Sequence, residues 1–275
     1  MTPKQAEKLN DSEFKRYFGI KRTTYQHMLT ILQEAYNEQH KKGGRKAKIS
    51  PESKLVITLN YYREYRSQFH IAQDFGITES AVCKAIKWVE GILINHKDFA
   101  LPGKKALWQD NNLETVLIDA TEIPIERPKK KQRRQYSGKK KRHTLKAQIV
   151  VDKKSKRILC THVGRGGMHD YDFKLYQSSK ITIKQSILIQ VDSGYQGIQQ
   201  THANSQLPKK KTKLKPLTKA DKKANRKLSS KRVTNEHVIG KLKCFKILSC
   251  RYRNRRKRFG LRVNLISAIY NFELG

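Results

Sequence analysis

Across 275 residues the chain carries 60 Lys and Arg against 23 Asp and Glu, a formal net charge of +37, with 37% hydrophobic residues. That excess of cations excludes an ordinary enzyme of small metabolites. It points to a polyanionic partner, nucleic acid, because neutralising phosphates releases condensed counterions.

No apolar run approaches the roughly 18 residues of a membrane span, and the polar stretch from Thr2 to Arg16 is not a secretory leader. Cys83, Cys160, Cys244 and Cys250 form no CxxC pair, which argues against a zinc ribbon or a disulfide framework and fits a reduced, cytoplasmic setting. Residues 1–100 read as helices. Phe14, Tyr17 and Phe18 recur at helical spacing before Gly19, and Tyr25, Met28, Leu29 and Leu32 continue the pattern. Ser50 followed by Pro51 opens the next helix, lined by Leu55, Leu59 and Tyr62. Residues 69–92 form a sharper pattern: Ala72 in one helix, Gly76 in a turn, Thr78 as a cap and Val82 in a second helix. It resembles a helix-turn-helix whose second helix would enter a major groove, exposing Glu79, Ser80, Lys84 and Lys87, although a plain helical hairpin has the same pattern.

After a linker at 101–112 the period changes. Val116 to Ile118 reads as a buried strand ending at Asp119, and Leu145 to Val151 with Ile158 to Val163 as a hairpin turning at Asp152 to Ser155. A short helix over His169 to Tyr176 and a strand from Ile187 to Val191, ending at Asp192, come next. The highly basic stretch Lys209 to Arg232, with Asp221 its one acid, reads as a loop. A helix is expected from about Arg232 and a last one from Leu261 to Phe272. This order implies an α/β domain with a mixed sheet over residues 113–275, preceded by the all-helical domain.

Two strands ending in aspartate are notable because open α/β sheets gather ligand chemistry at strand carboxyl ends. Each Asp can equally begin a turn, as Asp192-Ser193-Gly194 would. On the following helix, Arg232, Glu236 and Lys243 fall on one polar stripe, with Val238, Leu242 and Phe245 roughly opposite. A solvated stripe of paired charges would look the same. Three carboxylates suit phosphodiester cleavage: hard divalent ions take oxygen ligands, and two of them serve both ends of an in-line displacement.

The residues carry a resemblance. IDATEIPIERPKKKQRRQYSGKKKRHTLKAQIVVD, VDSGYQG and RVTNEHVIGKLKCFKIL resemble the three catalytic blocks of bacterial insertion-sequence transposases, the DDE superfamily endonucleases of insertion-sequence family five, over about residues 115–260. Arg232, Glu236 and Lys243 meet the related pattern of Tyr, two residues, Arg, three residues, Glu, six residues, Lys, while Ser229 stands at its Tyr. The resemblance implies an RNase H-like catalytic fold, with Asp119, Asp192 and Glu236 as catalytic ligands of two Mg²⁺ ions, for which Mn²⁺ can substitute. It also implies double-stranded DNA as partner, at element ends and target, a homodimer or higher assembly on that DNA, and a nucleoid-associated bacterial setting. His169 and Asp170 read as residues that order the ligands. The basic runs Pro128–His143 and Arg251–Arg258 read as phosphate grips, with Tyr252 interleaved for base stacking. Together with Lys84 and Lys87, the residues Arg142, Lys146, Arg232 and Lys243 are the expected DNA contacts. The function implied is cleavage of terminal inverted repeats and strand transfer; a catalytically inactive DNA-binding derivative is the alternative.

Overall fold

The computed structural model describes residues 2–41, 43, 47–167, 172–211 and 216–275, apart from the side chains of 231 and 232. The chain divides into two compact units: residues 1–100 with 242–250 and 264–275, and residues 101–241 with 251–263.

The first unit is helical. Its helices are α1 (Pro3–Glu7), α2 (Asp11–Phe18), α3 (Arg22–His40), α4 (Pro51–Arg63), α5 (Gln68–Phe75) and α6 (Glu79–Asn95). Local chemistry sets their ends. Asn10 and Glu13 form a reciprocal capping box at the start of α2, and Gly19 ends that helix in the left-handed region at φ 79°. Ser50 caps α4, with Pro51 in its first turn. Every residue of α4 from Leu55 to Tyr62 is buried, so the pattern that looked amphipathic belongs to a central helix. Glu90 of α6 is fully buried against it and accepts a hydrogen bond from the Tyr62 hydroxyl at 2.9 Å.

The second unit holds α7 (Ala106–Gln109), β1 (Thr115–Pro124), β2 (Tyr136–Ser137), β3 (Arg142–Asp152), β4 (Ile158–Arg165), α8 (Asp172–Ser179), β5 (Leu188–Gln190), α9 (Ile198–Thr201) and β6 (Ser205–Gln206). Two longer helices, α10 (Lys219–Lys243) and α11 (Phe259–Glu273), are divided between the units. The strands run β4-β3-β1-β5-β6, with the short β2 beside the start of β3. β1, β3 and β4 are antiparallel, while β5 and β6 run parallel to β1. The expected hairpin is present, and the Asp152 carboxylate accepts from the backbone N–H groups of Lys154 and Ser155 in its turn. One sheet face packs Val116, Ile118, Val150, Ile189 and Val191 against Leu107, Tyr176, Tyr195 and Ile198. Cys160 belongs to this core, and burial pushes its thiol up to about 12, so it is an inert packing residue.

Two expectations need correction. β1 does not stop at Asp119 but continues to Pro124, because the antiparallel partner β3 goes on pairing its backbone as far as Thr144. Helix α10 begins at Lys219, well before Arg232. The stretch from Lys219 to Ile239 holds no Pro or Gly and is rich in Lys, Arg and Ala, all good helix formers. Thr218 and Asp221 cap its start reciprocally, backbone to side chain in both directions.

Candidate active site

The ladder between β1 and β5 pairs Thr115 with Leu188, Val116 with Ile189 and Leu117 with Gln190. Asp119 and Asp192 each lie two residues past the last of these pairs. Adjacent strands lie roughly 4.8 Å apart. Since Val116, Ile118 and Ile189 face the core, alternation assigns Leu117, Gln190 and Asp119 to the other face, while Asp192 lies past the end of β5 as the cap of the turn at Ser193–Tyr195. Both aspartates are half-buried. The parallel ladder ends at Leu117 and Gln190, which opens the strands where the two acids stand. Asp119 Oδ1 accepts from the N–H of Ala120 at 2.8 Å, and Asp192 Oδ1 from the N–H of Gly194 at 2.7 Å.

The other expected residues are placed as follows. Glu236 is exposed on α10, beside the buried Asn235, with Val238 and Ile239 buried on the same helix. Among the described residues, no three His, Cys, Asp or Glu side chains stand together closely enough to hold a metal ion. Asp119, Asp192 and Glu236 are thus not gathered in one cluster. His169, Asp170 and the side chain of Arg232 lie outside the described residues. Lys243 is the half-buried last residue of α10.

Lys146 does not point to solvent. It is 3% exposed, and its Nζ lies 2.8 Å from Asp172 Oδ1 and 3.9 Å from Glu122 Oε1. Glu122 also accepts from the Thr144 hydroxyl at 3.0 Å. Asp172 stands beside Asp192: a Cβ on Gly194 would lie 2.7 Å from Asp172 Oδ2 and 2.9 Å from Asp192 Oδ1. Asp172 has no role in the reading of the sequence above. A lysine set between Leu145 and Ala147, ahead of the apolar run Ile149 to Val151, was the available signal for the pair.

The basic segments differ from one another. Around β2, Arg133, Arg134, Lys139, Lys140, Lys141 and Arg142 are exposed, and so is Tyr136, whose ring meets His143 edge-on. Tyr252, by contrast, is fully buried. Its N–H donates to Pro124 O, and its hydroxyl donates to Lys257 O and accepts from Arg262. The expectation that Tyr252 is open to a base therefore fails; its hydrogen bonds tie the basic turn to the end of β1.

In the first unit α5 and α6 form the expected helix-turn-helix. Gly76 takes the left-handed conformation at φ 59°, and Thr78 Oγ1 accepts from the N–H of Ala81. Val82, Ala85, Ile86 and Val89 are buried, whereas Glu79, Ser80, Lys84 and Lys87 are exposed on the opposite side of α6.

A helix-turn-helix joined to a mixed sheet with paired aspartates at a parallel ladder's end defines a class, and two family models match it. One, described as DDE superfamily endonuclease, covers residues 118–271; the other, helix-turn-helix of DDE superfamily endonuclease, covers residues 47–96. The chain belongs to the DDE superfamily endonucleases. It is 44% identical over 275 residues to the "Probable transposase for insertion sequence element IS702" of Microchaete diplosiphon, covering 100% of this chain and 99% of that one. A cryo-EM structure of the piggyBac transposase synaptic complex with hairpin DNA aligns at 10% identity and a TM-score of 0.44, over 98% of this chain and 75% of that one. Among the described residues, no helix is long and apolar enough to cross a membrane.

Proposed function

We propose that the chain is the transposase of a bacterial insertion sequence of family five, binding the terminal inverted repeats of its element and catalysing strand cleavage and strand transfer. The observation that carries this reading is that Asp119 and Asp192 each lie two residues past the last pair of the β1–β5 parallel ladder, within a chain that belongs to the DDE endonucleases. The strand order, antiparallel from β4 through β1 and parallel from β1 to β6, supports an RNase H-like second unit. So does the sequence of parts: Asp119 on β1, Asp192 just after β5, Glu236 on the following long helix α10.

The donor set is all carboxylate, which suits a hard divalent ion such as Mg²⁺ or Mn²⁺. Asp119 and Asp192 would hold it, with Glu236 as the third ligand. Two such ions, when bound, supply an activated water and charge stabilisation for the leaving oxygen. The exposed cations around β2 grip the backbone phosphates and hold the scissile group over the aspartates. Water oxygen bonds to phosphorus as the P–O3′ bond breaks, the departing O3′ taking a proton to leave a 3′-hydroxyl opposite a 5′-phosphate; that hydroxyl then bonds to a target phosphorus as the target's own P–O3′ bond breaks, and the displaced O3′ takes the proton to become a 3′-hydroxyl of the target. Lys84 and Lys87 of α6 face the DNA at the repeats, and two copies of the chain hold the two ends together. The chain works on the nucleoid.

One observation favours a second reading, a DNA-binding derivative that does not cut: Glu236 stands exposed and, among the described residues, no three acids are gathered. One assay separates the two. The full chain is incubated with DNA bearing its element's ends and Mg²⁺ or Mn²⁺. End-specific nicks with free 3′-hydroxyls, joined products, and their loss in Glu236→Gln support the transposase; binding without cleavage in either metal supports the derivative.

A further inference from the structure

Lys146 is a buried cation in a strand otherwise used for packing. Its nearest anion is Asp172, at the first turn of α8, and Glu122, its cross-strand partner on β1, is the second. The cost of burying an ammonium is met only where such partners are fixed in place. Two residues along the same face of β3, Gln148 is fully buried, and among the described residues neither atom of its amide finds a hydrogen-bond partner. A face kept this polar so deep in the molecule is not optimised for packing alone.

The outward oxygen of Asp172 ends against Gly194, on the side where Asp192 Oδ1 also lies. Asp192 in turn is tied to Gly194 through the glycine N–H. We infer that Lys146 and Asp172 are positioning residues: Lys146 fixes Asp172, and Asp172 holds the Asp192–Gly194 turn and with it the direction of the Asp192 carboxylate. Lys146 therefore acts through Asp172 and Asp192 and does not touch DNA phosphate. The inference rests on Asp192 being a metal ligand, and it adds two residues to the support of that ligand. Partners of this kind, one shell out from a metal, typically set affinity by about 10- to 100-fold.

The test uses the full chain with Mn²⁺ as probe, read by direct titration of bound Mn²⁺ and by the Mn²⁺ dependence of end cleavage. Asp172→Asn keeps the shape of the side chain and leaves Lys146 its Glu122 partner. It is expected to weaken Mn²⁺ binding by about tenfold or more and to raise the metal concentration for half-maximal cleavage equally, so that high Mn²⁺ restores the rate. Lys146→Met alone strands two acids and endangers folding, so Lys146→Met/Asp172→Leu serves as the second variant and is expected to show the same metal shift. If both variants bind Mn²⁺ like the unmodified chain, the positioning role is wrong. Asp192→Asn is run alongside: if it too binds and cleaves normally, the site reading itself has failed rather than this extension of it.

Discussion

Asp119 and Asp192 each lie two residues past Leu117 and Gln190, the last pair of the parallel ladder between β1 and β5. Neither residue ends up there by turn chemistry alone. Asp119 lies within β1, which continues to Pro124, and Asp192 lies just past β5 and caps the turn at Ser193–Tyr195. What positions them is the apolar run before each, which fixes both strands in one core. A one-residue slip of β1 would turn Asp119 to the opposite face.

Gly194 tests how closely that arrangement is packed. Any Cβ there meets the carboxylates of Asp172 and Asp192 at less than 3 Å, so one of them must move. Gly194→Ala is expected to leave the melting temperature nearly unchanged and to slow end cleavage about a hundredfold, the scale of a displacement near 1 Å in a reacting constellation. Single-turnover cleavage beside a thermal melt checks both.

The recognition surface gives a prediction about salt. Lys84 and Lys87 are exposed on α6 and free to meet phosphate. Each replacement by Ala should lower the magnitude of the slope of log binding constant against log salt by about 1. Binding to repeat-end DNA measured across a salt series gives the slopes. Unchanged slopes would assign the docking face elsewhere.

In the core of the first unit, the Tyr62 hydroxyl is a hydrogen-bond partner of the buried Glu90. Tyr62→Phe removes that donor and leaves the ring in place. The expected loss is about 1–3 kcal/mol of stability, measured by urea unfolding.

Acid stability of the same unit depends in part on Asp98. Its carboxylate lies 2.7 Å from His27 Nε2, and that hydrogen bond, assisted by the nearby His96, holds Asp98 below the usual carboxylate range. A depressed folded value contributes stability above the unfolded value of about 3.9, and this is lost as pH falls through the folded one. Asp98→Asn is therefore expected to be less stable than the unmodified chain at pH 6, with the gap closing below about pH 4. Melting curves over that range decide it.

Much of this was legible in the sequence, and the gaps have physical causes. Capping residues such as Ser50 and Thr78, with the glycines at 19 and 76, state where helices start and stop, so the helix-turn-helix could be read directly. The second half of β1 could not, because Asp-Ala-Thr-Glu has no apolar alternation; its strand character comes from β3. The first half of α10 looked like a loop because charge density masked helix propensity, although the Thr218–Asp221 box was in view. Lys146 looked like a phosphate contact because periodicity assigns a residue to a face without saying what covers that face; α8 supplies Asp172 there. Residues 242–250 and 264–275 belong with the first unit, a return that no local pattern announces.

The central claim is that Asp119 takes part in cutting DNA. Its most direct test compares single-turnover cleavage of repeat-end DNA by Asp119→Asn and by the unmodified chain in Mn²⁺, with binding to that DNA measured in parallel. Loss of cleavage by about a thousandfold or more with DNA affinity retained is the predicted result. Cleavage by Asp119→Asn at the unmodified rate would contradict the account.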